Sequence, residues 1–313
     1  MIGMTSLIIL AVAGISSTPV PVILDTDLGD DIDDTWALAA LLASPEFDLK
    51  LITLAFDDTP KKTALVAKIL QAMGRTDIPL GTGVKTSNKP INQSAWLGDY
   101  ALSSYPGKIH EDGVQALIAA IHASTVPVTI CVIGPQTNIK AALERDPSIA
   151  KKARIVSMAG SVRVGYEGAP QPAPEWNVVA DIAAARAVFV APWEITYAPL
   201  DACGQIRLKG DPFRAVTTSE TPLAKTVTAN YDMWSNRKQY PGDSSSTLFD
   251  TLAVYLLAQD LLCTMETVKL SIDDKGCTRE DEKQGRPVRC AMKLKDPAAF
   301  GQWLVNKVTG AAK

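Results

Sequence analysis

Between Asp25 and Asp34 the chain reads DTDLGDDIDD, six aspartates in ten residues with apolar runs on both sides. Charges of one sign crowded this closely repel. The dipole of a helix N-terminus can stabilise one or two of them, not all six. A hard divalent cation removes the conflict, because several carboxylate oxygens can share its charge. Calcium takes many oxygen ligands of mixed kind, whereas magnesium prefers fewer carboxylates and more water. Asp27 and Asp34 are spaced to share one such ion if Gly29 lets the loop fold back. A solvated acidic loop fits poorly, given the apolar residues on either side. An EF-hand fails on its misplaced glycine and distal glutamate, and no helix precedes the loop.

These aspartates fall where a strand gives way to a helix. VPVIL reads as a buried strand and DDTWALAALLAS as a helix that stops at Ser44-Pro45. The alternation continues. LKLITLAF, IPLGTG, VPVTICVIG, ARIVSMAG and EITYAPL read as strands, with helical patterns between most of them. That rhythm predicts an α/β fold with an open, mainly parallel central sheet and helices on both faces. In such sheets ligands bind at the carboxyl ends of the strands, which is where the acidic loop lies. VKLSIDDKGCTRED and VRCAMKLK read as antiparallel strands appended to this domain, and DPAAFGQWLVNKV as a closing helix.

The 313 residues are 47% apolar and carry a net charge of −3, with acids and bases mixed along the chain. This balance offers no electrostatic footprint for nucleic acid or an anionic membrane, and no internal apolar run is long enough to span one. Residues 1–18 read as a signal peptide or N-terminal extension, with Ala11-Val12-Ala13 as a small-x-small site but no basic n-region. A signal peptide would make the protein secreted or periplasmic; without one it would be cytoplasmic. Residues 19–313 read as one catalytic domain. Of five cysteines, Cys131 reads as core, and Cys277 and Cys290 are candidates to pair if the protein is exported. His122 falls near a helix end, in a solvated or capping position.

DTDLGDDIDD resembles the N-terminal fingerprint of the inosine–uridine-type nucleoside hydrolases, commonly written Asp-x-Asp-Pro-Gly-x-Asp-Asp. Aligned on the final pair, this chain carries two additional residues, Asp30 and Asp31. Three further segments are similar to family motifs in the same order: VIGPQTNIKAAL, SMAGS…PAPEWNVVADIAAARAVF and TLFDTLAVYLL. A strand followed by Asp-x-Asp also occurs in haloacid-dehalogenase-type phosphatases, but Gly29 stands where those proteins carry Thr or Val.

The nucleoside hydrolase resemblance implies a Ca²⁺-dependent enzyme acting on a small-molecule nucleoside, and a homo-oligomer. It implies that Asp27 is a calcium-bound carboxylate and the general base for the attacking water. Asp34, Asp250 and the carbonyl of Ile133 complete the metal ligands, with Asp25 supporting them from behind. Asp33 holds the ribose 2′-hydroxyl, Asn177 binds ribose hydroxyls, Glu175 binds the 5′-hydroxyl, and Asp58 falls near a position facing the ribose. The chemistry agrees with the residue types. N-glycosidic cleavage passes through an oxocarbenium-like state, which clustered carboxylates stabilise while a base activates water.

Two departures from the family pattern stand out. Phe249 replaces the His that precedes the C-terminal Asp and helps the base leave, and Ala169 replaces an Asn near the 5′ end. Aromatic stacking by Trp234, Tyr231, Tyr240 or Trp96 is the expected substitute. Loss of both polar groups also leaves room for a ribose-binding protein without turnover on the same scaffold.

Overall fold

The computed structural model describes residues 18–311. The small-x-small site and all of the expected N-terminal signal or extension except Thr18 lie outside the described residues. The strands are β1 (Val20–Thr26), β2 (Phe47–Leu54), β3 (Leu80–Thr82), β4 (Ile109–His110), β5 (Val128–Val132), β6 (Ala153–Ser157), β7 (Ile195–Tyr197), β8 (Cys263–Ile272), β9 (Thr278–Glu280) and β10 (Arg286–Leu294). They form one open sheet in the order β4-β3-β2-β1-β5-β6-β7-β10-β8-β9. Neighbours from β4 to β7 pair in parallel, and β10 continues in parallel beside β7. Only β8 runs antiparallel to both of its neighbours, β10 and β9.

The continuous apolar runs of the central strands follow from burial on both faces. Along β1, Val22 and Leu24 enter one core with Trp36 and Leu38, while Ile23 enters the other with Leu117, Ile130 and Ile155. The helix Asp33–Leu42 is rich in Ala and Leu, lacks Gly and Pro, and is buried from Asp33 through Leu41. It ends just before Ser44, whose hydroxyl donates to the Ala40 carbonyl at 2.8 Å. Among the described residues no helix is long and apolar enough to cross a membrane.

Two expectations change. The C-terminal strands are not an appendage, because β10 joins the main sheet through β7. Cys277 and Cys290 are buried free thiols. Cys277 immediately precedes β9 and Cys290 lies in β10, with β8 between those two strands. Two inter-strand spacings, roughly 10 Å, exceed the reach of a disulfide. At the far end of the helix Gly113–Ala123, His122 meets the Asp146 carboxylate at 2.7 Å, as a partly solvated end position allows.

Candidate active site

β1 lies between β2 and β5, so successive crossovers leave it toward opposite edges of the sheet and open a crevice at the strands' carboxyl ends. Asp27 follows β1, Ile133 follows β5 and Met158 follows β6, and all three line this crevice. Asp250 arrives from much later in the chain as the N-cap of the helix Thr251–Leu256. The acidic loop turns back through Gly29, whose φ of +135° strains any other residue and whose missing Cβ leaves room for the Lys62 side chain. The Thr26 hydroxyl donates to the Asp34 carboxylate across the turn and accepts the Leu28 N–H at 3.1 Å.

The result is a cleft of about 280 Å³ into which Asp27, Asp31, Asp33, Asp34, Asp250 and Glu175 converge with Asn177. Carboxylate oxygens of Asp33, Asp34 and Asp250 lie within 4.8 Å of one another, and all three residues are buried. Burial, then the neighbouring carboxylates, holds these three well above the ordinary range. Burial raises Asp27 to about 6 against the opposing pull of Lys62, and raises Asp31 to about 6. It raises Glu175 to about 7, although the backbone N–H groups of Asn177 and Gly160 bond its carboxylate at 2.8 and 3.0 Å.

Among the described residues, the cation set against these acids inside the protein is Lys62, bonded to Asp30 at 2.9 Å. Burial works against its charge, but Asp27 and Asp30 outweigh that and raise its pKa. Lys62 and the more exposed Lys89, 3.9 Å from Asp30, leave most of the negative charge of so many carboxylates uncompensated. An all-oxygen, acceptor-only set of buried groups fits a hard divalent cation and suits no soft metal.

Several of the residues singled out by sequence meet here. Asp27, Asp33, Asp34, Ile133, Glu175, Asn177 and Asp250 all line the cleft. The tightest trio contains Asp33 rather than Asp27. Asn177 donates its amide to the carbonyls of Ile133 and Met158 at 3.2 and 3.1 Å. Asp25 sits behind the cleft, where its carboxylate accepts from Asn138 at 2.9 Å and Thr53 at 3.2 Å. Burial raises it to about 7.

Two residues do not reach the cleft. Asp58 stands at the N-cap position of the helix Thr59–Ala72 without a capping bond from its side chain, which pairs instead with Lys85 at 3.0 Å and Lys61 at 3.6 Å. The preceding Phe56 and Asp57 both have positive φ, 63° and 52°, which turns the chain before Asp58 is reached. Trp234 is buried and stacks with Tyr231 and with Tyr240, with centroids at 6.2 and 5.9 Å. Its indole N–H donates to the Asp30 carbonyl at 2.9 Å, so it pins the acidic loop from behind instead of meeting a substrate. Asn92 and Gln93 donate to the Asp30 and Asp31 carbonyls at 3.2 and 2.5 Å and complete that support. Trp96 and Tyr231 are likewise in the core.

The aromatic wall of the cleft is made by other residues. Tyr166, Trp176 and Phe249 line it. Tyr166 meets Phe249 edge-on at 6.0 Å, and its hydroxyl accepts the Trp176 N–H at 2.9 Å. Trp176 in turn meets Phe56 edge-on at 6.1 Å. Lys89, Asn92 and Asn236 also line the cleft. Sequence reasoning passed over Tyr166, although it stands in the same Gly-Pro-rich loop as Ala169.

Residues 22–303 match the family model described as inosine-uridine preferring nucleoside hydrolase. The chain belongs to the inosine-uridine preferring nucleoside hydrolase family. As a nucleoside hydrolase it is an N-ribosyl hydrolase, and neither the phosphatase nor the pure binding alternative is favoured. It is similar to the pyrimidine-specific ribonucleoside hydrolase RihA of Enterobacter sp. (strain 638), 31% identical over 267 residues spanning 79% of this chain and 82% of that protein. RihA of Escherichia coli O1:K1 / APEC is 30% identical over 263 residues with the same coverage. Among solved structures, the plant nucleoside hydrolase PpNRh1 superposes with a TM-score of 0.79 at 26% identity, over 93% of this chain and 99% of that one. A purine-preferring ribonucleoside hydrolase from Gardnerella vaginalis shares the fold, with a TM-score of 0.77 at 23% identity over 93% and 98% of the two chains.

Proposed function

We propose that this nucleoside hydrolase cleaves the N-glycosidic bond of ribonucleosides to ribose and free base, with a divalent cation, best matched by Ca²⁺, held in the acidic cleft. The observation that carries the reading is the convergence of Asp27, Asp33, Asp34, Asp250 and Glu175 in one cleft beside Asn177. Asp27, Asp34, Asp250 and the Ile133 carbonyl would hold the cation, with Asp33 close enough to Asp34 and Asp250 to join them. When bound, the ion supplies charge that relieves the repulsion among the acids and orients the ribose diol.

The chain's own groups account for the rest. Asp27 takes a proton from the attacking water, the general-base work for which its carboxylate stands in the cleft. Asp33 accepts from the ribose 2′-hydroxyl. Asn177 faces the ribose hydroxyls, and Glu175 accepts from the 5′-hydroxyl through the lone pairs its two backbone bonds leave open. The carboxylates are fixed in place before reaction, so they favour the positive charge that develops on the sugar without reorganising. The leaving base meets the wall formed by Tyr166 and Phe249, which offers stacking and, at Phe249, no proton.

Because its relatives at 30–31% identity carry the name pyrimidine-specific, uridine and cytidine are the first substrates to try, followed by inosine. Purified protein is expected to release free ribose from at least one of them. A nucleoside panel that yields no reducing sugar in the presence of Ca²⁺ contradicts the proposal.

A further inference from the structure

Glu175 is held by a loop whose fixed point lies on the far C-terminal hairpin. The Thr278 hydroxyl, in β9 and buried, accepts the Ser161 N–H at 2.9 Å and donates to the Ser161 carbonyl at 2.7 Å. This is a two-point clasp across 117 residues of sequence. Ser161 then ties its own loop together. Its hydroxyl donates to the Val164 carbonyl at 2.8 Å and accepts the Ala173 N–H at 2.9 Å, two residues before Glu175. The neighbouring Gly160 donates its N–H to Glu175 Oε2 at 3.0 Å.

Gly160 has a φ of +83°, and a Cβ there would lie 2.8 Å from the Thr278 methyl. Close contact with Thr278 and the conformation that aims the Gly160 N–H at Glu175 therefore occur at one residue. From the other side, the Gly160 carbonyl accepts the Leu200 N–H at 3.0 Å, and Asp201 accepts the N–H groups of Val162 and Arg163 at 2.8 and 2.7 Å. Arg163 bridges to Glu280 on β9 at 2.5 Å and to Glu266 on β8 at 2.9 Å. The hairpin thus grips the loop by a buried clasp and an exposed ion-pair bridge. The exposed bridge contributes little by itself. The buried clasp involves backbone groups that have no water to fall back on.

We infer that Thr278 is a positioning residue for the hydrolase reaction: through Ser161 and Gly160 it sets where the Glu175 carboxylate stands, and so how tightly the enzyme holds the 5′ end of its substrate. Thr278 itself does not line the cleft. The inference rests on the proposed role of Glu175 at the substrate 5′-hydroxyl.

The test pairs four variants with two substrates, a ribonucleoside and its 5′-deoxy analogue. Thr278→Val keeps the shape and removes the hydroxyl. It is expected to raise KM for the ribonucleoside about tenfold, with kcat changed less than about threefold, since a lost buried clasp is on that scale. It is expected to leave kinetics on the 5′-deoxy analogue near those of the wild type, while Thr278→Ser restores the ribonucleoside KM. A KM unchanged by Thr278→Val, or raised equally on both substrates, overturns the inference. If Thr278→Val does not fold, Thr278→Ala removes the same hydroxyl and is expected to show the same split; wild-type kinetics there overturn the inference too. Glu175→Gln separates the two levels. If it fails to abolish discrimination between the substrates, the reading of Glu175 is wrong and the inference falls with it. If it abolishes discrimination and the variants lacking the Thr278 hydroxyl leave discrimination unchanged, the inference alone is wrong.

Discussion

Asp33 accepts a hydrogen bond from the backbone N–H of Asp250 at 3.2 Å, across 217 residues of sequence. The bond joins the first turn of the helix after β1 to the start of a helix near the C-terminus. It brings together acids that the chain would otherwise keep apart. This contact and the Thr26–Asp34 hydrogen bond build the acidic site into the fold itself.

Removing either of the central carboxylates is therefore expected to affect chemistry far more than folding. Asp27→Ala and Asp34→Ala should each lower kcat on the best nucleoside by about a thousandfold or more, as expected when a base or a charge-stabilising group is lost. Their circular dichroism spectra should match the wild type. Near-normal turnover in either variant contradicts the assigned roles.

Phe249 sets a limit on leaving-group chemistry. Its ring lies edge-on to Tyr166 and carries no transferable proton. Phe249→His introduces a group that titrates near neutral pH at that wall, and it is expected to raise kcat on at least one poor leaving group by about tenfold or more. A rate profile across purine and pyrimidine nucleosides identical to that of the wild type contradicts a leaving-group role for this position.

Lys62 tests the electrostatics behind the cleft. Its side chain is fully buried and paired with Asp30 at 2.9 Å. Lys62→Met removes the internal counter-charge and leaves acids unmatched, which is expected to cost about 3 kcal/mol of folding stability. The measurement is a urea unfolding curve without added metal. An unchanged midpoint shows that the lysine is not compensating the cluster.

Much of this arrangement is legible in the sequence, because its signals are local. The acid-dense step from strand to helix, the buried parallel strands and the Glu-Trp-Asn run each declare themselves within a dozen residues. What escapes sequence reading depends on distant packing. β4 is only two residues long and exists because β3 offers it an edge. The resemblance set Asp58 near the ribose, but nothing in the residue types around it announces the consecutive positive φ values at Phe56 and Asp57 that turn the chain before it. Trp234 is a reasonable stacking candidate by composition, but nothing local reveals that it is buried and already stacks on both Tyr231 and Tyr240. Tyr166 enters the cleft because its loop is clasped by a hairpin more than a hundred residues later.

The raised carboxyl groups also set a pH dependence. Asp25 and Glu175 are held at about 7 and Asp27 at about 6 in the folded protein. A raised folded-state pKa favours folding fully below the unfolded value, about 4, and that contribution is lost as pH rises through 6 and 7. Chelator-treated protein should therefore lose thermal stability between about pH 5 and pH 8. Added Ca²⁺ should restore it strongly at the upper end and little at the lower, because protons and the cation compete for the same oxygens. An equal calcium-induced shift in Tm at both ends contradicts that competition.

The central claim is that the buried aspartates jointly hold one divalent ion. A calorimetric titration of chelator-stripped protein with Ca²⁺ tests it most directly, run side by side on the wild type, Asp34→Ala and Asp250→Ala. The account predicts a single site of one-to-one stoichiometry in the wild type that disappears in both variants. Absence of binding in the wild type, or binding that survives both substitutions unchanged, contradicts it.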